Sequence, residues 1–328
     1  MSERVLLTAT PGGHIQELHE WVRRIEDLPG DRIWVTAKTA QTESLLADEQ
    51  VIWVPQVATR QLGRVIASMP AAMRIARQVR PTLVVSTGAA LTVPYIHAAI
   101  ARGAACHFIE SATRILSPSL TGRIMSRTPG VTMHAHNFSD PRWRESGSLF
   151  EGFRDCQRID AKPVAKVLVT LGTERFDFSR AVRSIFPVLP NDCDVLWQVG
   201  TTQAAPPMGR TVSLIPHDEM ADAVAEADVV ITHAGVGSVL TALNAGHCPI
   251  VLPRSARYAE HVDDHQIDLA ATLRERHLAI VRDAYRLVSG DLHEAAGRRT
   301  SRRTDPPSLM LAGGADPGGA SPGLPRAS

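Results

Sequence analysis

The stretch ITHAGVGSVLTALNAGHCPIVLP, from Ile231 to Pro253, decides the fold of this sequence. An apolar run ends at His233 and a glycine-rich turn follows. The next residues have the apolar spacing of a helix, and a second apolar run begins at Cys248. Strands that alternate with helices in this way are typical of βα units and a parallel sheet. Glycines between a strand and a helix leave N–H groups free at the helix N-terminus, which favours an anion there.

The same alternation occupies both halves of the chain. Strands predicted at 4–10 and 166–173 each begin a series of βα units, and a polar, proline-containing segment lies between the two series. We therefore predict an α/β protein with two Rossmann-like, doubly wound domains that face a cleft. The predicted boundaries are 1–153 for the first domain, 154–165 for a linker, 166–297 for the second domain and 298–328 for a disordered tail rich in Arg, Pro, Gly and Ser.

Composition excludes several functional classes. Of 328 residues, 44% are hydrophobic and 21% charged, and the net charge of +1 argues against a nucleic-acid-binding protein. The four cysteines form no C-x-x-C pair, so we expect neither disulfides nor a zinc ribbon, and a cytoplasmic location. No apolar stretch reaches the roughly 18 residues of a membrane span, so membrane contact would be peripheral, at the inner face of the cell membrane.

Charge is uneven along the chain. The segment Arg60–Arg127 holds nine arginines and one acidic residue, Glu110. One interpretation is a solvated helix face with a basic loop. The other is a surface that contacts anionic lipid or an anionic acceptor.

The glycine turn in the second half matches neither common nucleotide motif. A dinucleotide fingerprint needs a third glycine where Leu240 stands, and a P-loop needs a lysine that this turn lacks. The free N–H groups and the helix dipole still suit a diphosphate, without a metal. We expect Gly235, Gly237 and Ser238 to bind it; the alternative is a plain turn with Ser238 as the helix N-cap.

The segment EHVDDHQ, from Glu260 to Gln266, follows the next strand. Adjacent βα loops of a doubly wound sheet converge on one crevice, and acidic and amide side chains there suit a ribose and a base. His261 and His265 stand at i and i+4, so a metal site is an alternative. Because the chain has no H-E-x-x-H motif and no identifiable distant ligand, we expect no metal.

The first half has its own glycine turn, in TATPGGHIQEL. His14 follows Gly12 and Gly13 at a predicted helix N-terminus, with Glu17 one turn later. The positive end of the helix would lower the pKa of His14 and keep it neutral, so His14 is a candidate general base. The alternative is a capping or packing histidine.

These motifs together resemble those of two-domain, nucleotide-sugar-dependent glycosyltransferases with the GT-B fold. The similarity covers about 4–283 and is greatest to the group that contains the lipid-II-forming and dolichol-linked N-acetylglucosaminyltransferases and paired bacterial exopolysaccharide transferases. GGHIQEL, STGAALTVP and HFIESATRILSPSLTGRI resemble the acceptor half, and VTLGT, ADVVITHAGVGS and EHVDDHQIDLA the donor half. The chain looks like both subunits fused, with the acceptor half first.

The resemblance implies an inverting, metal-independent transfer of a sugar, with N-acetylglucosamine the best candidate, from a UDP-sugar to a lipid-linked or cell-surface glycan. UDP-sugar is then a co-substrate, and no cofactor is expected. His14 and Glu110 become the catalytic candidates. The implied donor-binding residues are Gly172, Thr173, His233, Gly235, Gly237, Ser238, Glu260, Asp263, Asp264, His265 and Gln266, and the acceptor-side loop residues are Gly12, Gly13, Glu17 and Gly88.

Two features depart from the resembled pattern. Thr241 stands where the family usually has a glutamate for the ribose hydroxyls, and no helix that returns to the first domain is recognisable beyond about Ala296. Two alternative functions therefore stay open. One is a UDP-sugar 2-epimerase, which shares the architecture, and the other is a catalytically weak module that docks a partner transferase at the membrane.

Overall fold

The computed structural model describes residues 3–57, 61–136, 138–160, 163–173 and 175–311. The first domain is built on a seven-stranded parallel sheet with the order β3-β2-β1-β4-β5-β6-β7. Its strands are β1 (Arg4–Ala9), β2 (Asp31–Ala37), β3 (Val51–Val54), β4 (Leu83–Gly88), β5 (Ala105–Ile109), β6 (Val131–Ala135) and β7 (Trp143–Glu145). Its helices are α1 (Gly13–Val22), α2 (Ala40–Leu45), α3 (Leu62–Ala67), α4 (Met69–Val79), α5 (Val93–Ile100) and α6 (Leu120–Met125).

The second domain repeats this arrangement with six parallel strands in the order β11-β10-β9-β12-β13-β14. Its strands are β9 (Lys166–Thr170), β10 (Asp194–Gln198), β11 (Arg210–Val212), β12 (Val229–His233), β13 (Ile250–Leu252) and β14 (Ile280–Val281). Its helices are α7 (Ser179–Ile185), α8 (His217–Glu226), α9 (Val236–Asn244), α10 (His265–Glu275) and α11 (Ser289–Ala296). The predicted fold, two Rossmann-like doubly wound domains, is confirmed.

The order of the strands explains where a ligand site can lie. In both sheets the chain starts at a central strand, β1 or β9, moves outward to one edge and then crosses back to the other side. The turns that follow β1 and β4, or β9 and β12, therefore converge at the carboxyl ends of adjacent strands, on either side of the point where the strand order reverses. The predicted glycine turns follow these four strands.

One hydrophobic cluster continues from the first domain into the second. Ile15 and Leu18 of α1 are fully buried in it, together with Val239 and Leu240 of α9. These apolar side chains recur at helical spacing on both helices, so each helix has one face for its own sheet and one for its neighbour. The domain interface is consequently built around the pair α1 and α9.

The predicted disordered tail is wrong for residues 298–311. Strand β15 (Arg298–Arg302) pairs antiparallel with β8 (Phe153–Arg158), which lies partly inside the predicted linker. The chain then returns to the first domain, where the Leu309 N–H donates to the Arg24 carbonyl and Leu309 is 5% exposed. Backbone pairing and buried leucines order this segment despite its polar composition. The rest of the predicted tail lies outside the described residues.

This C-terminal segment takes the place of the returning helix that the sequence lacks beyond about Ala296. It is extended rather than helical, and the Arg24 guanidinium holds it by donating to the Pro307 carbonyl at 2.7 and 2.9 Å. Leu311 is buried beside Leu309 in the shared cluster. The two domains are therefore tied at the linker and at the C-terminal segment. None of the described helices has the length and apolar character needed to cross a membrane.

Candidate active site

The N-termini of α1 and α9 meet at the domain interface. A Cβ atom added to Gly13 would lie 2.6 Å from Val236 Cγ1, and one added to Gly237 would lie 3.4 Å from Gly13 Cα. Gly12, which precedes α1, has φ +99°, a conformation that favours glycine. The glycines thus have a packing role that the sequence did not reveal, because they let two helices from different domains approach closely. They also bring the two predicted glycine turns together.

The start of α9 differs from the expectation for Ser238. Gly235 has an extended backbone and is the N-cap, and no side chain caps the helix, so Ser238 lies in the first turn. The proposed N-cap role of Ser238 is therefore wrong, because the helix starts earlier, at Val236. An N-terminus without a side-chain cap keeps its first N–H groups for another acceptor, which is the arrangement that suits an anion.

The His233 imidazole packs against the two donor-side glycine turns. The imidazole is 7% exposed, and its ring lies where Cβ atoms on Gly172 and Gly235 would be, 2.7 Å from Nε2 for Gly172. Burial and then the charge of Arg254 lower the pKa of His233 to about 3, so it is neutral. Gly172 has φ +85°, and the neighbouring Thr173 is exposed beside it. Only glycines fit around this ring.

Several predicted donor-binding residues fix the loop after β13. Glu260 is buried and accepts two hydrogen bonds of 2.8 Å from the Arg180 guanidinium. Asp264 accepts from the backbone N–H of Ala256 at 2.8 Å. Both acids hold the loop in one conformation, and their predicted contacts with a donor stay predictions.

Gln266 has a similar positioning contact on α10. Its side-chain oxygen accepts from the backbone N–H of Arg254 at 3.1 Å, directly after β13. Arg254 is fully buried and donates to the carbonyls of Leu171 and Phe176, each at 2.7 Å. That Arg254 anchors the turn that contains Gly172 was not predicted from the sequence. Its partners are carbonyls of distant segments, which local pattern cannot identify.

Asp263 lies among two imidazoles and a guanidinium. Its Oδ1 accepts a hydrogen bond from His265 Nδ1 and is 3.3 Å from His261 Nδ1, and its Oδ2 accepts from Arg114 Nη1 at 3.0 Å. Although partial burial opposes ionisation, the His265 hydrogen bond and the charges of His265 and Arg114 lower the pKa of Asp263 to about 2. It is a carboxylate at neutral pH.

The side chains of His261, Asp263 and His265 together have the composition of a metal site. One ligand atom each from His261, Asp263 and His265 lies within 4.8 Å of the others. Two imidazoles and a carboxylate are a donor set that zinc accepts. The expectation that the reaction needs no metal stays a prediction, which chelation tests directly.

His14 is the second residue of α1 and faces the end of β4. Its carbonyl accepts from Thr87 Oγ1 at 2.7 Å, and its Cε1 would lie 3.8 Å from a Cβ on Gly88, which has φ +92°. Burial is the main cause that lowers its pKa, and the charge of Arg114 acts in the same direction. The lowered pKa of His14 agrees with the expectation of a neutral base, but its main cause is burial rather than the helix dipole.

Two buried carboxyl groups lie behind His14. Glu17 is fully buried, accepts from Ser111 Oγ at 2.8 Å, and has its pKa raised to about 8 by burial, with the charge of Glu110 adding to the effect. Burial also raises the pKa of Glu110, whose oxygens accept from the backbone N–H groups of Ser119 at 2.9 Å and Ser111 at 3.1 Å. Both acids hold the loop after β5. The acidic role predicted for Glu110 stays a prediction.

Polar contacts across α1 and α9 were not foreseen from the sequence. Thr241 Oγ1 donates to the Gly237 carbonyl at 3.0 Å and accepts from Gln16 Nε2 at 3.4 Å. One turn further along, Glu20 accepts from Asn244 at 3.1 Å and from both Nη atoms of Arg302 at 2.7 Å. Thr241, the departure from the resembled pattern, thus contributes to the domain interface.

The basic segment presents apolar side chains as well as arginines. Leu116, Leu120 and Ile124 are exposed on α6 and the loop before it, with Leu120 at 66%. Arg114 is partly buried in its ion pair with Asp263, and Arg60 lies outside the described residues. The exposed arginines of the segment are Arg64, Arg74, Arg77, Arg80, Arg102, Arg123 and Arg127.

Comparison with known proteins agrees with this geometry. Residues 166–296 match the Glycosyltransferase family 28 C-terminal domain. The UDP-N-acetylglucosamine transferase subunit ALG13 of Yarrowia lipolytica is 44% identical over 75 residues, which are 23% of this chain and 32% of that protein. The chain therefore covers about a third of the length of this curated relative.

Two solved structures illustrate the fold. MurG of Acinetobacter baumannii superposes with a TM-score of 0.54 and 18% identity over 89% of each chain. A putative UDP-N-acetylglucosamine 2-epimerase of Listeria monocytogenes superposes with a TM-score of 0.51 and 11% identity, over 90% of this chain and 94% of that one. At these identities the similarity is one of fold, and the fold is GT-B.

Proposed function

Because the chain has the GT-B fold and its second domain matches a glycosyltransferase family, we propose that it is a UDP-sugar-dependent glycosyltransferase. The sugar would be N-acetylglucosamine, the acceptor a lipid-linked or cell-surface glycan, and the transfer inverting and metal-independent. One observation carries the proposal: α1 and α9 begin side by side, so the candidate base His14 and the turn at Gly237 lie together at the domain interface. The name of the Yarrowia relative supports the choice of sugar.

The donor end of the reaction uses the start of α9. The free N–H groups after Gly235 and the positive end of the helix dipole would bind the diphosphate and stabilise the charge that develops on departing UDP. The atom nearest to a Cβ on Gly237 is Gln16 Oε1, the end of a flexible side chain. A bound diphosphate could therefore displace Gln16 while the sheet stays in place.

The acceptor end uses His14. In a single displacement the acceptor oxygen forms a bond to the anomeric carbon while the bond from that carbon to the UDP oxygen breaks, and UDP leaves with the electron pair. The hydroxyl proton must go to a base, and the lowered pKa keeps His14 unprotonated and able to accept it. Attack from the face opposite UDP inverts the anomeric centre.

The acceptor face would dock on an anionic bilayer. Leu120 and Ile124, one turn apart on α6, are exposed beside Arg123, and Leu116 is exposed just before the helix. Apolar side chains next to arginines suit a membrane with anionic lipid, because the leucines enter the interface while the cations remain among the headgroups. A lipid-linked acceptor would then be supplied from the surface on which the protein sits.

The test offers UDP-N-acetylglucosamine, UDP-glucose and UDP-galactose with polyprenyl-diphosphate-linked monosaccharides, in vesicles that contain anionic lipid. Mass spectrometry detects the lengthened lipid, and NMR of the product reports its anomeric configuration. The proposal expects transfer, a β-linkage from an α-linked donor, and activity in EDTA. Retention of configuration, or a strict metal requirement, would contradict the mechanism.

The same assay without acceptor separates the alternatives. A 2-epimerase shares the fold and would exchange the sugar C2 proton for deuterium in D2O without any acceptor. A docking module would sediment with anionic vesicles, and neither transfer nor exchange would occur with any donor tested. Variants at Leu120 and Arg123 should reduce sedimentation in both the transferase and the module cases.

A further inference from the structure

Arg114 connects the two domains through its side chain. Its backbone belongs to the first domain, where its N–H donates to the Ser111 carbonyl at 2.8 Å. Its guanidinium reaches the second domain, where Nη1 donates to Asp263 Oδ2 at 3.0 Å. The side chain is 26% exposed and that of Asp263 is 37% exposed, so solvent and ligands reach the pair.

Its charge acts on functional candidates in both domains. The guanidinium contributes to the lowered pKa of His14 in the first domain and of His265 in the second, after burial, which is the larger cause in each. The contact with Asp263 places the guanidinium at the candidate sugar-binding loop.

Asp263 does not depend on Arg114 alone. Its other oxygen accepts from His265, and His261 Nδ1 is 3.3 Å away. The carboxylate would thus keep polar neighbours if the guanidinium moved away. Arg114, by contrast, is held at its tip by one partly exposed carboxylate. Arg114 is therefore the member of the pair that can exchange its partner for another anion.

We propose that Arg114 is a phosphate-binding residue of the cleft, which Asp263 holds in place until a phosphate group displaces the carboxylate. The phosphate is either the donor diphosphate or the phosphate of a lipid-linked acceptor, so this inference rests on the proposed function. A guanidinium presents a planar fork of donors that matches two phosphate oxygens, and a diphosphate carries more charge than one carboxylate. Exchange would also release the two domains from their ion pair when the ligand arrives.

Binding measurements distinguish two roles of Arg114. Either it exchanges Asp263 for a phosphate, or the ion pair is a strut that only holds the two domains together. Calorimetry is run with UDP and with farnesyl diphosphate as soluble probes, on wild type, Arg114→Gln, Arg114→Lys and Asp263→Asn. Loss of a charge-assisted bidentate contact should weaken one probe about tenfold to hundredfold in Arg114→Gln, and less in Arg114→Lys. Asp263→Asn removes the competitor, so the same probe should bind a few-fold more tightly than to wild type.

The two variants of the pair therefore move affinity in different directions if Arg114 exchanges partners. If the pair were only a strut, Arg114→Gln and Asp263→Asn would change affinity alike, and that result would overturn the inference. The probe that Arg114→Gln weakens identifies the source of the phosphate. The matched control is Arg142→Gln, which breaks an exposed ion pair with Asp140 in the same domain and should change neither affinity. Thermal melts check that each variant is folded.

The outcome is separable from that of the proposed function. If wild type binds UDP and the turn variant Gly237→Asp does not, while Arg114→Gln binds both probes normally, the transferase proposal stands and the role of Arg114 is wrong. If wild type binds neither probe, the phosphate chemistry of the cleft is wrong and both proposals fall.

Discussion

Glu17 gives the most quantitative prediction, because a fully buried carboxyl group should make the protein sensitive to alkaline pH. Burial raises its pKa from an ordinary 4.5 to about 8. The folded chain therefore holds the Glu17 proton more tightly than the unfolded chain does. This stabilisation is complete below pH 4.5 and is lost as pH rises through about 8. Glu17→Gln keeps the shape of the side chain and removes the titration.

The size of the effect follows from the two pKa values. They differ by about 3.5, which corresponds to about 5 kcal/mol when the whole interval is crossed. Between pH 5 and pH 9 the folded wild type should lose about 4 kcal/mol through this group. Because groups other than the neighbouring Glu110 titrate alike in both proteins, Glu17→Gln should gain about that amount relative to wild type over the same range.

The assay is urea unfolding followed by tryptophan fluorescence at pH 5, 6, 7, 8 and 9, with wild type and variant in parallel. The control is Glu145→Gln, which removes a carboxylate from the exposed end of β7 and should track wild type. The reasoning is refuted if the difference in unfolding free energy between Glu17→Gln and wild type stays constant across the range. A Glu17 that ionises freely in the folded state would give that result.

Three further predictions concern the reaction, the interface and the metal. His14→Gln should lower kcat about 10²- to 10⁴-fold while UDP affinity measured by calorimetry stays near wild type; equal losses in both would mean a binding role instead. Leu309→Ala should destabilise the fold by about 2–4 kcal/mol in urea unfolding, because the leucine is buried against the first domain, and an unchanged midpoint would mean that the returning segment does not stabilise it. EDTA should leave transfer at its normal rate. If EDTA stopped transfer, zinc restored it and His261→Gln prevented that recovery, the imidazole–carboxylate cluster would be a metal site.

Much of the fold could be predicted from local pattern. Apolar strands such as 4–10 and 166–173 were recognised because both faces of a parallel strand are buried, which leaves continuous apolar runs. The segment around Pro70 forms two helices, α3 and α4, because proline is accepted in the first turn of a new helix.

The C-terminal segment could not be predicted because its order comes from distant partners. Arginines and prolines dominate 298–311, and composition alone favours disorder there. The backbone of β8 and a buried surface around Arg24 supply the missing interactions. Neither interaction can be recognised from a local stretch of sequence, because the partners are distant along the chain.

The candidate site shows the same division. Glycine turns have a strong local signal, so Gly13 and Gly237 were found, but their packing against each other depends on how two domains meet. Arg114 was one of nine arginines in a basic segment, and nothing in its neighbours distinguishes it. Its ion pair with Asp263 joins residues 149 positions apart. Such pairs require the structure.

The most direct test of the central claim is whether the turn at the start of α9 binds a nucleotide sugar. Calorimetry with UDP-N-acetylglucosamine compares wild type, Gly237→Asp and Gly290→Asp. Aspartate is tolerated in the first turn of a helix, and at position 237 it adds negative charge where the diphosphate would bind. Because its Cβ would also contact Gln16 Oε1 and lie 3.4 Å from Gly13 Cα, thermal melts check that this variant is folded. Gly290 lies in the first turn of α11 with open space around it, away from the cleft.

The account predicts that wild type and Gly290→Asp bind the donor equally and that Gly237→Asp binds it at least a hundredfold more weakly. Equal binding by all three proteins, or no binding of any uridine nucleotide to wild type, would contradict the donor site at this turn.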